Sequence, residues 1–174
     1  MGNEPRFGDK ERNMGLIRLL STTTPFANLD EQQLAGVLTC CEQQEFPRGS
    51  VIYQQNTPAR HMYIILDGMV SLDDVVDDET IISYERRGPK GIIGIGSMLG
   101  LKLYSLTAAC IEPSSVIAID VPELEKIFDQ DYQVGFKVMS EVAYIYFQRY
   151  ERAKTRLYNV FKEIPVRLVC REPV

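Results

Sequence analysis

The chain is poor in the side chains on which most metal and acyl-transfer chemistry depends. It has one histidine, His61, and four cysteines in 174 residues. Cys40 and Cys41 are adjacent, Cys110 and Cys170 stand far off, and no pair has C-x-x-C spacing. A tetrahedral zinc site draws on ligands paired at short spacing, so these read as free thiols and no metal is expected. A lone histidine cannot complete a Ser/His/Asp or Cys/His constellation here, so the chain reads as no enzyme. His61 precedes a strand and lacks a partner histidine. Packing at a strand end therefore explains it better than haem ligation, and no cofactor is expected. The acids Asp67, Asp73, Asp74, Asp77, Asp78 and Glu79 lack the spacing of a calcium-binding hand and read as a solvated hairpin tip.

Basic charge is also in deficit. Lys and Arg number 19 against 24 Asp and Glu, a net charge of −5. A dedicated nucleic-acid binder needs a basic face, so this balance argues against one. No apolar run reaches the roughly 18 residues of a membrane span. Met1 to Asn13 is charged, without the apolar core of a signal peptide. A cytoplasmic location with no membrane association is expected.

What is present is enough apolar content, 45% of residues, for one proper core. Residues 1–13 read as a mobile arm. A short helical pattern begins at Met14, with Leu16, Ile17, Leu19 and Leu20 apolar. After Ser21 to Pro25, Asp30 is placed to cap a helix carrying Leu34, Val37 and Leu38. Between Cys41 and Ile119 the period shortens. Glu45-Phe46 before the Pro47-Arg48-Gly49 turn, then Val51–Tyr53, His61–Leu66, Met69–Val76, Thr80–Tyr84, Leu106–Ile111 and Val116–Ile119, are short β-rich pieces separated by Gly, Pro and Asp turns. Many short strands at even spacing predict a mainly β jelly-roll or barrel with flanking helices, a β-roll domain over 14–133.

From Pro122 the pattern is helical again, with a short helix over Glu123–Phe128 and a long one over 134–163. Thirty residues span roughly 45 Å. Ile164-Pro165 ends the helix and leaves a tail, 164–174. Met139, Val142, Tyr146, Ala153 and Val160 follow steps of three and four along it, with Arg149 and Arg156 in the same stripe. This fits a coiled-coil-like seam and predicts a symmetric homodimer; a helix lying along its own barrel explains the same stripe, and both can hold, with one face inward and another toward a partner.

The order helix, β-roll, short helix, long helix resembles the cyclic-nucleotide-binding domain of the Crp/Fnr and kinase-regulatory-subunit superfamily. Pro25-Phe26 with Leu29 and Leu34, the run Phe46-Pro47-Arg48-Gly49-Ser50-Val51-Ile52-Tyr53, and His61-Met62-Tyr63-Ile64-Ile65-Leu66-Asp67-Gly68 carry the resemblance, which covers Phe26 to about Lys162. It implies a double-stranded β-helix, a regulatory rather than catalytic role, and a small-molecule effector held by a glycine-rich turn. That turn is Gly94-Ile95-Gly96-Ser97-Met98-Leu99-Gly100, continuing to Tyr104 and Ser105. Where the family has a glutamate for the ribose this chain has Ile95, and where it has an arginine for the phosphate it has Tyr104. Isoleucine accepts no hydrogen bond and tyrosine carries no charge. The small hydroxyl residue beside the family arginine is kept as Ser105. Tyr150 resembles the base-facing position of the long helix. The candidate ligand site is therefore Gly94, Ile95, Gly96, Ser97, Tyr104, Ser105 and Tyr150, with an anionic or polar effector other than a standard cyclic nucleotide. Two alternatives stay open. One is a cyclic AMP or cyclic GMP binder with a degenerate site, in which Lys102 or a residue of the long helix replaces the arginine. The other is a ligand-free dimerising scaffold. In transcription-factor relatives a helix-turn-helix domain follows the long helix. Only Val166 to Val174 remain past Pro165, so no DNA binding is expected of the chain as given.

Overall fold

A computed structural model describes residues 7–77 and 79–163. Eight antiparallel strands form two four-stranded sheets. One has the order β1 (Cys41–Phe46), β8 (Ser114–Asp120), β3 (His61–Asp67), β6 (Ile92–Ile93). The other runs β2 (Val51–Tyr53), β7 (Thr107–Cys110), β4 (Val70–Val75), β5 (Ile81–Arg87). Helices α1 (Phe7–Leu20), α2 (Glu31–Leu38), α3 (Val121–Gln130) and α4 (Tyr132–Glu163) flank this roll.

The strand period of two explains why β3 and β8 read as unbroken apolar runs. Met62, Ile64, Ile117 and Ile119 point toward the helices and join Leu20, Phe26, Leu34, Leu124, Val134, Val138 and Val142 in one core. Their neighbours Tyr63, Ile65, Val116 and Ala118 point into the roll and join Tyr53, Leu72 and Tyr104 in a second. Both faces of each strand are buried, so hydrophobic alternation vanishes.

Local chemistry fixes the helices. Asp30 caps α2 by accepting from the Gln33 amide at 2.9 Å, and the Gln33 side chain accepts from the Asp30 amide at 3.3 Å. Asp120 caps α3 in the same way, accepting from the Glu123 amide at 3.1 Å, with Pro122 in the first turn. The β4–β5 hairpin closes on Asp77, whose carboxylate accepts from the Glu79 and Thr80 amides at 3.0 and 2.7 Å.

Three boundaries differ from expectation. Helix α1 starts at Phe7, so the second half of the expected arm is helical, while residues 1–6 and the tail 164–174 lie outside the described residues. Strand β1 begins at Cys41, earlier than its turn suggested. It is an edge strand paired with β8, with Glu42 and Glu45 exposed to water and Gln43 and Gln44 half-buried. Helix α4 starts at Tyr132, directly after Asp131, two residues before the expected start at Val134.

The seam expected on α4 is corrected. Val142 is fully buried against the roll, and Met139 and Tyr146 pack on the same core. Only Ala153 and Val160 of that set are exposed. The first half of the stripe is spent inside the protomer, because α4 lies along its own sheet up to about Arg149. The opposite face is the one left bare. Phe136, Phe147, Tyr150, Leu157 and Phe161 are 75, 60, 60, 56 and 41% exposed, and with Ala143 they keep to steps of three, four and seven.

Candidate functional site

The glycine-rich turn lies between β6 and β7. Gly94 adopts φ 69° and Gly100 φ 74°, and a single 3₁₀ turn, Ile95–Leu99, fills the space between. The left-handed conformation needs glycine at Gly94 for a second reason: a Cβ there would lie 2.9 Å from the His61 carbonyl oxygen and 3.3 Å from the Tyr104 ring. The turn is closed on itself. The Ser97 amide and hydroxyl both donate to the Gly94 carbonyl, at 3.1 and 2.8 Å, so neither donor is spare for a ligand.

Gly94, Ile95, Gly96, Ser97, Tyr104 and Ser105 come together around one cavity inside the roll, as does Tyr53. Its volume is about 70 Å³, well below the roughly 300–1,000 Å³ of an ordinary small-molecule site. Tyr104 is the reason. Its ring stacks on Tyr53 with centroids 3.8 Å apart and planes 18° from parallel, and Tyr53 in turn stacks on Tyr63 at 5.7 Å. The Tyr104 hydroxyl donates to the His61 carbonyl at 2.8 Å and accepts from the His61 amide at 3.1 Å. Its backbone is tied to the turn after β2, donating to Thr57 and accepting from Asn56. Burial raises the Tyr53, Tyr63 and Tyr104 phenols above their ordinary value, so all three are neutral in the physiological range.

Ile95 is 1% exposed and packs in the helix-side core while also lining the cavity. Ser105 is exposed at the mouth of the cavity. Tyr150 lies elsewhere: it is 60% exposed, with Lys154 Nζ 5.6 Å from its ring centroid, and it does not line the cavity. Lys102 is exposed and does not line it either. The long helix contributes Tyr146 and Arg149 instead. Arg149 Nη2 donates to the Ile92 carbonyl at 3.1 Å, its guanidinium lies 5.8 Å from the Tyr146 ring centroid, and its Nε is buried without a partner. Burial, and next the like charge of Arg87, lower its pKa. A helical phase of 3.6 residues per turn sets Arg149 about 100° from Tyr150, which decides which of the two faces inward.

The family's sequence profile, described as the cyclic nucleotide-binding domain, matches residues 43–131. The chain belongs to the cyclic nucleotide-binding domain family. Among solved structures, a Geobacter metallireducens protein assigned to cyclic nucleotide binding is 26% identical, over 77% of this chain and 96% of that one, with a TM-score of 0.67. A cyclic nucleotide-binding domain from Methylobacillus flagellatus is 15% identical, covering 91% of this chain and 88% of its own, with a TM-score of 0.73. The sensor domain of the transcriptional regulator DNR from Pseudomonas aeruginosa is 17% identical, covering 91% and 99%, with a TM-score of 0.67. The last two likenesses speak for the fold alone. No curated protein matches the chain. No helix among the described residues is long and apolar enough to cross a membrane.

Proposed function

We propose that this chain is a non-enzymatic regulatory sensor domain, working in the cytoplasm as a homodimer, whose roll recognises a small anionic or polar effector rather than cyclic AMP or cyclic GMP. The observation that carries this reading is the position of Tyr104. It stands where the family's phosphate-binding arginine is expected, fills the roll against Tyr53, and is held by two hydrogen bonds to His61. What space remains is about 70 Å³. A small carboxylate or the phosphoryl end of a compact ester suits it, with Arg149 supplying the one positive charge on the wall.

The signal leaves through α4. Tyr146 and Arg149 reach the cavity from the same helix whose far side bears Phe136, Phe147, Tyr150, Leu157 and Phe161. A second copy of α4 laid in parallel would cover that face and link the two rolls. The regulatory role is in keeping with the similar structures, which include the sensor domain of one transcriptional regulator and the N-terminal domain of another.

Arg149 also favours one alternative: a cyclic nucleotide binder in which Tyr104 swings out and the helix arginine takes the phosphate. Calorimetry separates the two. Titration of the wild-type protein with cyclic AMP and cyclic GMP is expected to give no saturable heat, and the larger cavity of Tyr104→Ala is expected to admit small anions first. Low-micromolar affinity of the wild type for either cyclic nucleotide overturns the proposal.

A further inference from the structure

We propose that a second cleft, outside the roll between the β5–β6 turn and α4, is a binding site for a phosphoryl group. Its polar lining is Arg87, Lys90, Arg149, Arg152, Gln148 and Thr24, around a volume of about 140 Å³. Four cations and no carboxylate line it, in a chain whose net charge is −5. Glu85 neutralises one of them, its carboxylate accepting from Arg87 Nη2 at 2.7 Å. The other three have no acidic partner among the described ion pairs.

The two half-buried arginines are also short of acceptors. Arg87 Nε and Arg149 Nε are both buried without a hydrogen-bond partner, although the Nη2 atom of each is engaged. Burial first and then the like charge of Arg87 lower the Arg149 pKa, and the Glu85 carboxylate that pairs with Arg87 offsets only part of this. An oxyanion in the cleft relieves that repulsion and supplies acceptors at once.

The turn that brings Lys90 to the cleft is built with some strain. Lys90 adopts φ 65°, a left-handed conformation unusual for a side chain of its size. It is held there from β3, the Lys90 amide donating to the Ile65 carbonyl at 2.8 Å and the Ile65 amide donating to the Gly91 carbonyl at 2.9 Å. Strain of this kind persists where the surroundings fix it, and here it fixes a cation beside two arginines.

The number and spread of the cations select the ligand class. A phosphoryl group offers three strong acceptor oxygens and nearly two negative charges, which several separated donors can share; a single carboxylate cannot occupy them all. The volume admits the phosphoryl end of a molecule and leaves its body outside. Because Arg149 walls both this cleft and the roll cavity, occupancy of the cleft also fixes the one charge that the roll presents to its own ligand.

The test uses the whole chain with inorganic phosphate and glycerol 3-phosphate, against chloride at matched ionic strength. Calorimetry gives the affinity, and amide chemical-shift mapping gives the place. The proposal expects saturable binding of phosphate, with the largest shifts at Lys90, Gly91 and Ile92. It expects the variant Lys90→Ala/Arg152→Ala, which removes two exposed side chains, to weaken binding by at least about tenfold. A preference for glycerol 3-phosphate over free phosphate identifies an ester as the source, and equal affinity identifies the free ion; both support the site. Absence of saturable phosphate binding overturns it, as does an effect that chloride reproduces. Shifts centred on Gly94 to Gly96 also overturn it, because they place the phosphate in the roll and leave the reading of that cavity intact. If the double variant loses its fold, Arg152→Gln alone decides by the same measure.

Discussion

Replacing Tyr104 by phenylalanine isolates the contact that closes the roll. The ring, its stack on Tyr53 at 3.8 Å and the filled volume all survive, and only the hydroxyl is lost. That oxygen serves His61 twice, as acceptor at 3.1 Å and as donor at 2.8 Å. Each hydrogen bond contributes about 0.5–1.5 kcal/mol net, so the pair is worth about 1–3 kcal/mol, toward the upper end because both His61 partners are left unpaired. In a chain of this length 1 kcal/mol moves Tm by about 2–4 °C, so a loss of about 2 kcal/mol lowers Tm by about 4–8 °C. Urea unfolding followed by circular dichroism is the assay, and the midpoint is expected to fall with an unchanged slope. Tyr104→Ala removes the ring as well and is expected to cost more, about 3–5 kcal/mol if it behaves as a buried phenylalanine does. A Tyr104→Phe protein that melts within about 1 °C of wild type refutes the reasoning, since Tyr104 would then not be bonded across the roll.

Alkaline titration followed by tyrosine absorbance tests the buried phenols. Tyr53, Tyr63, Tyr104 and Tyr146 are all raised above 10.0, so each holds its proton more tightly folded than unfolded. Their contribution to stability is whole below that pH and is lost as pH rises above it, so part of the absorbance change should coincide with unfolding; nine tyrosines ionising in one reversible wave with native dichroism retained would contradict this. Gly94→Ala forces a Cβ against His61 at positive φ and should destabilise by about 1–3 kcal/mol, whereas Gly36→Ala, in α2 with open space around it, should stabilise by about 0.5–1 kcal/mol. Chemical denaturation of the two proteins should show shifts of opposite sign. Phe147→Glu and Leu157→Glu should convert the protein to a 19.8 kDa species in sedimentation with its melting otherwise native, and a dimer untouched by both would move the interface off α4.

The sequence made the roll legible where local chemistry and global packing agree. Val51–Tyr53 and the His61–Leu66 run stood out because β-branched and aromatic residues fall between Gly and Pro turns, and Asp30 announced α2 because its capping box is contained in four residues. Strand β1 was harder to read because an edge strand bears polar side chains, and β6 because two residues make no pattern. Along α4 the stripe through Val142 was visible, but which side of a helix faces its own sheet is a tertiary fact. Two apolar faces on one helix look alike in sequence, and so Met139, Val142 and Tyr146 went to the wrong partner. Most of the candidate site followed from the glycine-rich turn. Arg149 stands in the sequence only as a member of the α4 stripe, because what turns it to the cavity is a carbonyl 57 residues earlier in the chain.

Strands β3 and β8 form a wall one residue thick between two compartments, with Met62 and Ile64 on one side and Tyr63 and Ile65 on the other. Protein interiors are close-packed and transmit displacement rather than absorb it. The wall therefore works as a diaphragm. Whatever swells the roll presses Tyr63 and is felt beneath α4, where Val134, Val138 and Val142 rest on the far side. The coupling runs in both directions by thermodynamic necessity. On the proposed reading, helix-side packing far from the cavity bears on the affinity of the roll for its ligand, and pairing of two α4 helices is a way of tuning a chamber that they do not line alone.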